Sequence, residues 1–292
     1  MFKSNQKEKN QRKSVIDILQ DPSDKKSCLI YNNNLLVSEN GKKYELEEGL
    51  PNLIYPDITG SDKEFNEQYK QMAEVYDIFS KYLFEMVYEN EEEQRARLIK
   101  ELQVKKGDKV LEVSCGTGLN VQYLLDAVGQ EGEVHALDLS KHMIFKAIEK
   151  FKDKENIFYY LGNGSNLPFK NNTFDALLHV GGINTFTDIE GALNEFMRVT
   201  KKNGRIIISD EGMQENLLQT KYGKLGLKIN GLYKSKPPMD KIPENARDIT
   251  LRYVLGGFFY VISFVKGDDY DFNWNLEVPL SGGQKLKDYL EQ

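Results

Sequence analysis

The run Val110-Leu111-Glu112-Val113-Ser114-Cys115-Gly116-Thr117-Gly118-Leu119-Asn120 reads as a buried strand, a glycine turn and the start of a helix. Glycines in such a turn let the backbone approach a ligand closely, and a helix start presents N–H groups with no partner inside the helix. A dinucleotide fingerprint would set its third glycine at position 121, where this chain has Val121, so the match to an NAD site is poor. Asp138 follows Gly118 by 20 residues and closes the run His135-Ala136-Leu137. A carboxylate at that strand end can accept hydrogen bonds from ribose hydroxyls. Its competing use is to cap the next helix, for which Ser140 is the better candidate. A polar turn, Leu161-Gly162-Asn163-Gly164-Ser165-Asn166-Leu167-Pro168-Phe169, offers a short side chain and backbone N–H groups to an adenine edge. A further strand, Phe174-Asp175-Ala176-Leu177-Leu178-His179, leads to the same place.

These blocks need elements to hold them, and the hydrophobic pattern supplies them. Strands are expected at 109–113, 133–137, 156–161, 174–180 and 204–209, and helices near 118–128, 140–151 and 187–200. Alternating strand and helix means a doubly wound, mostly parallel sheet whose ligand lies across the carboxyl ends of the strands. Two apolar strands, 249–255 and 258–265, are joined by Gly256-Gly257, a spacing that demands an antiparallel pair. Upstream, Phe65, Tyr69, Met72, Tyr76, Phe79, Leu83, Met86 and Val87 recur at helical spacing. The acidic run Glu89 to Glu93 is expected to break that helix or to form a solvated face, with a second helix over Arg95–Leu102. The stretch 62–102 is expected to act as a helical lid and 212–248 as an insertion, with a polar tail over 267–292.

With 292 residues, 40% of them apolar, the chain can bury a large core and carry a small appendage. A net charge of -6 argues against a dedicated nucleic-acid binder, whose surface is usually basic. The longest apolar run, Tyr253 to Val265, is 13 residues and too short to span a bilayer. The first 14 residues lack the apolar core of a signal peptide and read as a disordered tail. Two cysteines, Cys28 and Cys115, suit a reducing cytoplasm and exclude a cysteine-rich metal site.

In combination the four blocks resemble class I S-adenosylmethionine-dependent methyltransferases of the methyltransferase type 11 group. They are especially similar to the ubiquinone/menaquinone-biosynthesis C-methyltransferases, over roughly 65–210. The resemblance implies an α/β fold: a Rossmann-like, seven-stranded doubly wound sheet with an antiparallel last strand, spanning 62–266. It implies S-adenosylmethionine as cofactor. It places Glu112 and Ser114 near the methionine end, with Gly116, Thr117, Gly118 and Asn120 lining the cofactor. Asp138 would hold the ribose, with Leu139 and Met143 flanking the adenine. Asn163, Gly164 and Ser165 would meet the adenine edge, and His179 and Val180 would lie beside the sulfonium. Tyr69 and Tyr76 match positions that border the cofactor. The family has glycine where this chain has Ser114 and aspartate where it has Asn163.

Residues 15–56 read as a small β module, with Asn32–Asn34 and Asn40-Gly41 as turns and Gly49-Leu50-Pro51 closing it. The module resembles the zinc-ribbon-like activator subunit of certain RNA and protein methyltransferases. The cysteine slots of that family hold Asp21-Pro22-Ser23-Asp24 here, with Ser38 near another. Two carboxylates cannot replace four thiolates in a closed tetrahedral site, so no structural zinc is expected. The module reads either as a docking element or as a structural cap.

Methyl transfer from a sulfonium is an in-line displacement that depends on positioning, with a general base only where the acceptor must lose a proton. His179, Asn184 and Glu211 are the candidates to orient or deprotonate an acceptor; a satisfied structural histidine is the competing reading of His179. Three functions stay open: a methyltransferase acting on a small apolar or aromatic acceptor, an RNA or protein methyltransferase recruited through the module, and a non-catalytic cofactor-binding protein. A basic strip at the pocket mouth would favour the second, and a pocket unable to hold the sulfonium the third.

Overall fold

The structure, a computed structural model, describes residues 16–32, 35–86 and 90–268. The expected tail over 1–14 lies outside these residues, as do all but two residues of the tail over 267–292, Asn33 and Asn34 of the first turn, and Glu89 of the acidic run.

The N-terminal segment forms a four-stranded antiparallel sheet in the order β1 (Leu29–Asn32), β2 (Leu35–Ser38), β3 (Lys43–Glu47) and β4 (Leu50–Pro51). The β2–β3 turn is closed by Asn40, whose side chain accepts from Lys42 N, and by Gly41 at φ +89. The expected zinc slots are filled by hydrogen bonds. Asn40 Nδ2 donates to both Asp21 and Asp24 at 3.0 Å, the Tyr44 hydroxyl donates to Asp21, and Ser27 N and Oγ donate to Asp24. Among the described residues no group of three or more His, Cys, Asp or Glu is placed to hold a metal ion.

Three helices follow: α1 (Gly60–Met72), α2 (Tyr76–Met86) and α3 (Glu91–Leu102). The single helix expected over 65–88 is thus two, divided by a turn at 73–75 that no proline or glycine announces. That turn sets Tyr69 and Tyr76 edge to face, with ring centroids 6.2 Å apart. Within the acidic run Glu91, Glu92 and Glu93 open the next helix, and Glu92 and Glu93 are solvent-exposed. Asn90 accepts from Glu93 N at 3.1 Å, and Glu91, Glu92 and Glu93 occupy the first turn, where carboxylates complement the helix dipole.

The main sheet contains β5 (Lys109–Val113), β6 (Glu133–Asp138), β7 (Ile157–Leu161), β8 (Phe174–Val180), β9 (Thr200–Glu211), β10 (Ala246–Val254) and β11 (Phe259–Lys266). Helices α4 (Val121–Val128), α5 (Lys141–Lys150), α6 (Ile189–Val199) and α7 (Lys221–Ile229) are interspersed. The strand order is β10-β11-β9-β8-β5-β6-β7, parallel except where β11 pairs with β9 and β10. The order reverses between β5 and β8, which puts the ligand crevice of a doubly wound sheet at their carboxyl ends.

Alternation along the strands divides the core into two faces. Val110, Leu178 and Ile207 pack with Ile99 and Leu102 of α3, Leu124 of α4 and Ile144 of α5. Leu111, Val113, Leu177, Ile206 and Ile208 pack with Leu193 and Phe196 of α6. The β7–β8 connection contains no helix, and the N-terminal sheet covers that part of the second face. Leu19, Leu29, Leu36, Tyr44 and Leu53 belong to the same buried cluster as the sheet residues. Backbone hydrogen bonds fasten the two parts: Leu53 N to Leu161 O at 2.8 Å, Gln20 N to Pro168 O at 3.0 Å and Lys170 N to Ile18 O at 2.9 Å.

Candidate active site

At the carboxyl end of β5 the chain turns through Ser114 and Gly116, both at positive φ (+59 and +54). A Cβ built on Gly116 would meet no atom within 4 Å, and neither would one on Gly181, which follows β8 with φ +78. Both glycines therefore leave an open cradle beside the strand ends. Asp138, at the end of β6, stands over this cradle. Its two oxygens accept from Gly116 N and Ser140 N, each at 2.8 Å. Burial raises its pKa, and those backbone N–H groups oppose the rise. Each carboxylate oxygen keeps a lone pair for a ligand hydroxyl.

Behind the glycine turn lies a chain of buried polar groups. Glu112 Oε1 accepts from Asn120 Nδ2 at 2.8 Å, and Asn120 Oδ1 accepts from Arg95 at 2.7 Å. Arg95 is anchored on Glu91 and Ser80. Asn120 precedes α4 but does not cap it, because its side chain is committed to this chain of groups. Glu112 Oε2 is fully buried without a partner, and burial pushes the carboxyl up to about 8. The open cradle and the strand-end carboxylate fit a nucleoside, and Arg95 and Asn120, backed by Glu112, fit the amino-acid tail it would carry.

Two spaces meet here. A cleft is lined by Ser114, Gly116, Asp138, Leu139, Ser140, Met143, Val180, Gly181, Gly182, Thr185 and Phe186 on the sheet side. Asp62, Phe65, Asn66, Tyr69 and Tyr76 of α1 and α2 line its other side. A larger pocket of about 300 Å³ shares Phe65, Tyr69, Tyr76, Ser114, Gly116 and 180–182 with it. The rest of that pocket is mainly apolar: Met72, Phe84, Leu98, Leu119, Ile229, Leu232, Val254, Leu255 and Phe259. Gln94, Arg95, Thr117, Asn120, Glu211 and Arg252 are its main polar groups. Helices α1 and α2 are tied down by polar contacts. Asp77 of α2 accepts from the Thr117 hydroxyl and, at 2.9 Å, from Lys150, while Thr187 N donates to Asp62 of α1 at 3.2 Å. Burial pushes the Tyr76 hydroxyl up to about 12 and Tyr69 well above its ordinary value, so both remain protonated donors.

Glu211 closes β9 and faces the larger pocket. Its neighbour Asp210 is fully buried and accepts from Asn184 N and Glu211 N, each at 2.8 Å. Burial and then the Glu211 charge hold Asp210 well above the usual carboxylate range. Asn184 Nδ2 donates to Glu211 O at 2.6 Å, and Asn184 Oδ1 accepts from the Tyr260 hydroxyl at 3.1 Å.

The sequence expectations divide accordingly. Tyr69, Tyr76, Ser114, Gly116, Thr117, Asn120, Asp138, Leu139, Met143, Val180 and Glu211 line these spaces. His179 does not, which corrects both roles expected for it. It shares the sheet face of Leu177, is 0% exposed, bonds Val113 O through Nδ1 and packs on Phe186 and Phe196. Burial lowers its pKa to about 4, so it stays neutral, and its Nε2 has no partner. Asn184 lines neither space, since both ends of its amide are engaged with Glu211 and Tyr260. Asn163, Gly164 and Ser165 also stand back. Asn163 Oδ1 accepts from Ser165 N, Ser165 Oγ donates to Asp188 O, and the Phe186 ring lies across Gly164. Gly118 faces Phe151 and Ala147, where a Cβ would meet atoms at 3.0 and 3.2 Å, so its smallness serves packing. Glu112 sits one residue behind the wall, reached through Asn120. Arg95, Phe186 and Gly181 were missed; the only trace of Arg95's role was its spacing of four from Glu91.

The fold and site are those of a class I S-adenosylmethionine-dependent methyltransferase. Residues 59–225 match the ubiE/COQ5 methyltransferase family. The chain is 33% identical over 180 residues to the demethylmenaquinone methyltransferase of Geobacillus sp. (strain WCH70), covering 59% of this chain and 76% of that one. It is 38% identical over 120 residues to the enzyme of that name from Staphylococcus saprophyticus, covering 41% of this chain and 52% of the relative. A solved structure of Haemonchus contortus phosphoethanolamine N-methyltransferase 2 in complex with S-adenosyl-L-methionine shares the fold. Its TM-score is 0.56 at 14% identity, over 91% of this chain and 75% of that one. The chain belongs to the ubiE/COQ5 methyltransferase family and is an S-adenosylmethionine-dependent methyltransferase. Among the described residues no helix is long and apolar enough to cross a membrane.

Proposed function

We propose that the chain methylates a ring carbon of a small, apolar aromatic acceptor of the quinol class. The observation that carries this reading is the pocket of about 300 Å³ that opens from the cofactor cleft, is walled by aromatic and aliphatic side chains, and has one carboxylate, Glu211, at a strand end. Mostly apolar walls with a few polar anchors suit such a ligand. The names of the relatives, demethylmenaquinone methyltransferases, support the same acceptor class.

The bound cofactor supplies an electrophilic methyl group. In this reading Asp138 would accept from its ribose hydroxyls, Leu139, Met143 and Phe186 would hold its adenine, and Gly116 would leave room beside the turn. Arg95 and Asn120 would meet the charged methionine end, with Glu112 behind them holding Asn120 in place. Tyr69 and Tyr76 close the site from α1 and α2 and exclude water. Glu211 takes the proton of an acceptor hydroxyl, which raises electron density on the adjacent ring carbon. That carbon would take the methyl group from sulfur, which would keep the bonding electron pair, and the displaced ring hydrogen would leave as a proton. Asn184 and Asp210 hold Glu211 in place. The module over 16–56 serves to cap the open sheet face.

The test is an incubation of the full chain with methyl-labelled cofactor and a short-chain demethylnaphthoquinol, read by mass spectrometry. The reading predicts label on a ring carbon. Label on oxygen, or transfer only to RNA or protein supplied in parallel, would overturn it.

A further inference from the structure

Helix α7 carries three distinct rows of residues. Gly223 and Gly226 are buried: a Cβ on Gly226 would stand 2.2 Å from the Phe258 ring and one on Gly223 2.0 Å from Leu217 O. Glycine weakens a helix, so two in nine residues are explained here by this close approach, which also fixes how the helix is rotated. The remaining rows are largely exposed, with the Tyr222 ring resting one side on Phe258 at 4.7 Å between centroids. Tyr222, Leu225 and Ile229 are 47, 58 and 51% exposed and follow the spacing i, i+3, i+7. Lys221, Lys224 and Lys228 follow the same spacing one residue earlier and are exposed. Among the described residues none of the three forms an ion pair with a carboxylate.

The surroundings extend the pattern. Between Glu215 and Asp240 the chain holds five lysines and no acidic residue, although the whole protein carries a net charge of -6. Ile229, Asn230 and Leu232 also line the larger pocket, so this surface adjoins its mouth. A lysine strip alone would suit any polyanion. A parallel row of half-exposed aliphatic and aromatic side chains beside it suits a surface with an anionic outer layer and an apolar layer beneath.

We propose that α7 and the residues to 239 dock on an anionic lipid bilayer, with the lysines at the headgroups, Tyr222, Leu225 and Ile229 below them, and the pocket mouth turned toward the membrane. An apolar acceptor then enters from the lipid without crossing water. The docking stands on the helix itself; only the identity of what enters the pocket rests on the acceptor reading above.

The experiment is co-sedimentation of the full chain with vesicles of phosphatidylcholine alone or mixed with phosphatidylglycerol, at low and high salt. The proposal predicts salt-sensitive binding to the anionic vesicles. Lys221→Gln, Lys224→Gln and Lys228→Gln combined should weaken it roughly 100-fold, at the usual contribution of a surface lysine. Leu225→Gln should weaken vesicle binding several-fold while leaving heparin binding unchanged. S-adenosylhomocysteine affinity reports that both variants are folded and should not move. Equal binding to neutral and anionic vesicles, a triple variant that binds like the parent, or a Leu225→Gln variant with no vesicle defect would overturn the docking; the last points to a generic polyanion or RNA surface. Vesicle binding without methylation of any quinol would keep the docking and reject the acceptor reading. Methylation of detergent-dispersed quinol without vesicle binding would do the reverse.

Discussion

The proposed cofactor cleft and the proposed acceptor pocket share a wall, yet they are assembled in opposite ways. Most of the cleft's sheet side comes from two consecutive strand–turn–helix units, Ser114 to Gly116 and Asp138 to Met143, set side by side by the β5–β6 pairing. Beyond the shared turns after β5 and β8, the pocket is gathered from α1, α2, α3, the end of β9, the end of α7 with the residues after it, β10 and the β10–β11 turn. A site made by neighbouring turns is constrained by local chemistry, because strand-end carboxylates and left-handed glycines act over a few residues. A site made by distant segments is constrained by packing, and its residues can change without disturbing the sheet. Cofactor affinity and acceptor choice should therefore respond to different substitutions.

The largest expected effect lies in the pocket. Glu211→Gln should lower kcat on the order of 10²–10⁴-fold, the scale of general-base loss. S-adenosylhomocysteine affinity, read by calorimetric titration, should stay within about twofold. A matching loss of cofactor affinity would merge the two regions.

The next effect is a pH dependence behind the cleft. Burial raises Glu112 from its ordinary 4.5 to about 8. The folded protein then holds a proton that the unfolded chain has lost, so this group's contribution is intact below pH 4.5 and declines as pH rises through about 8. Between those limits the loss is about 1.4 kcal/mol per pH unit at most. Urea unfolding of the cofactor-free protein across this range should show the decline, and Glu112→Gln should remove it. An unchanged slope in the variant would dismiss Glu112 as the buried acid.

Asp138→Ala should weaken S-adenosylhomocysteine binding by about 1.5–3 kcal/mol, the value of hydrogen bonds to a charged group, with little change in unfolding midpoint. An unaltered dissociation constant would take Asp138 out of the ribose role. The smallest effect is at Ser114, a non-glycine residue at φ +59. Ser114→Gly should relieve that conformation and raise stability by about 1 kcal/mol, measured as a shift in urea midpoint. A destabilised variant would mean that the serine side chain contributes more than the backbone strain costs.

The same contrast explains what could be read from the sequence. The five parallel strands, the final antiparallel pair, Gly116 and Asp138 were legible because hydrophobic period and turn chemistry are local signals. The split between α1 and α2 was not, since Ala73-Glu74-Val75 contains no helix breaker. His179 was placed in the site although strand alternation already paired it with Leu177 on the face of α6. Val180, of opposite parity, is the residue that lines the cleft. Asn163 and Gly164 followed the family pattern, but Phe186, 22 residues later, covers Gly164. Arg95 was hidden because a buried arginine has no periodic signature; only the positions of Glu91, Ser80 and Asn120 account for it.

Met72 tests the division between the two regions most directly, because it lines the larger pocket and not the cofactor cleft. The measurement is paired: S-adenosylhomocysteine affinity and kcat/KM for the quinol acceptor in Met72→Trp, which fills part of the pocket. Overpacking on the scale of 1–3 kcal/mol predicts a fall in kcat/KM of roughly tenfold or more, with cofactor affinity unchanged. Cofactor affinity falling in step with kcat/KM, or turnover left intact, would contradict the assignment of that pocket to the acceptor.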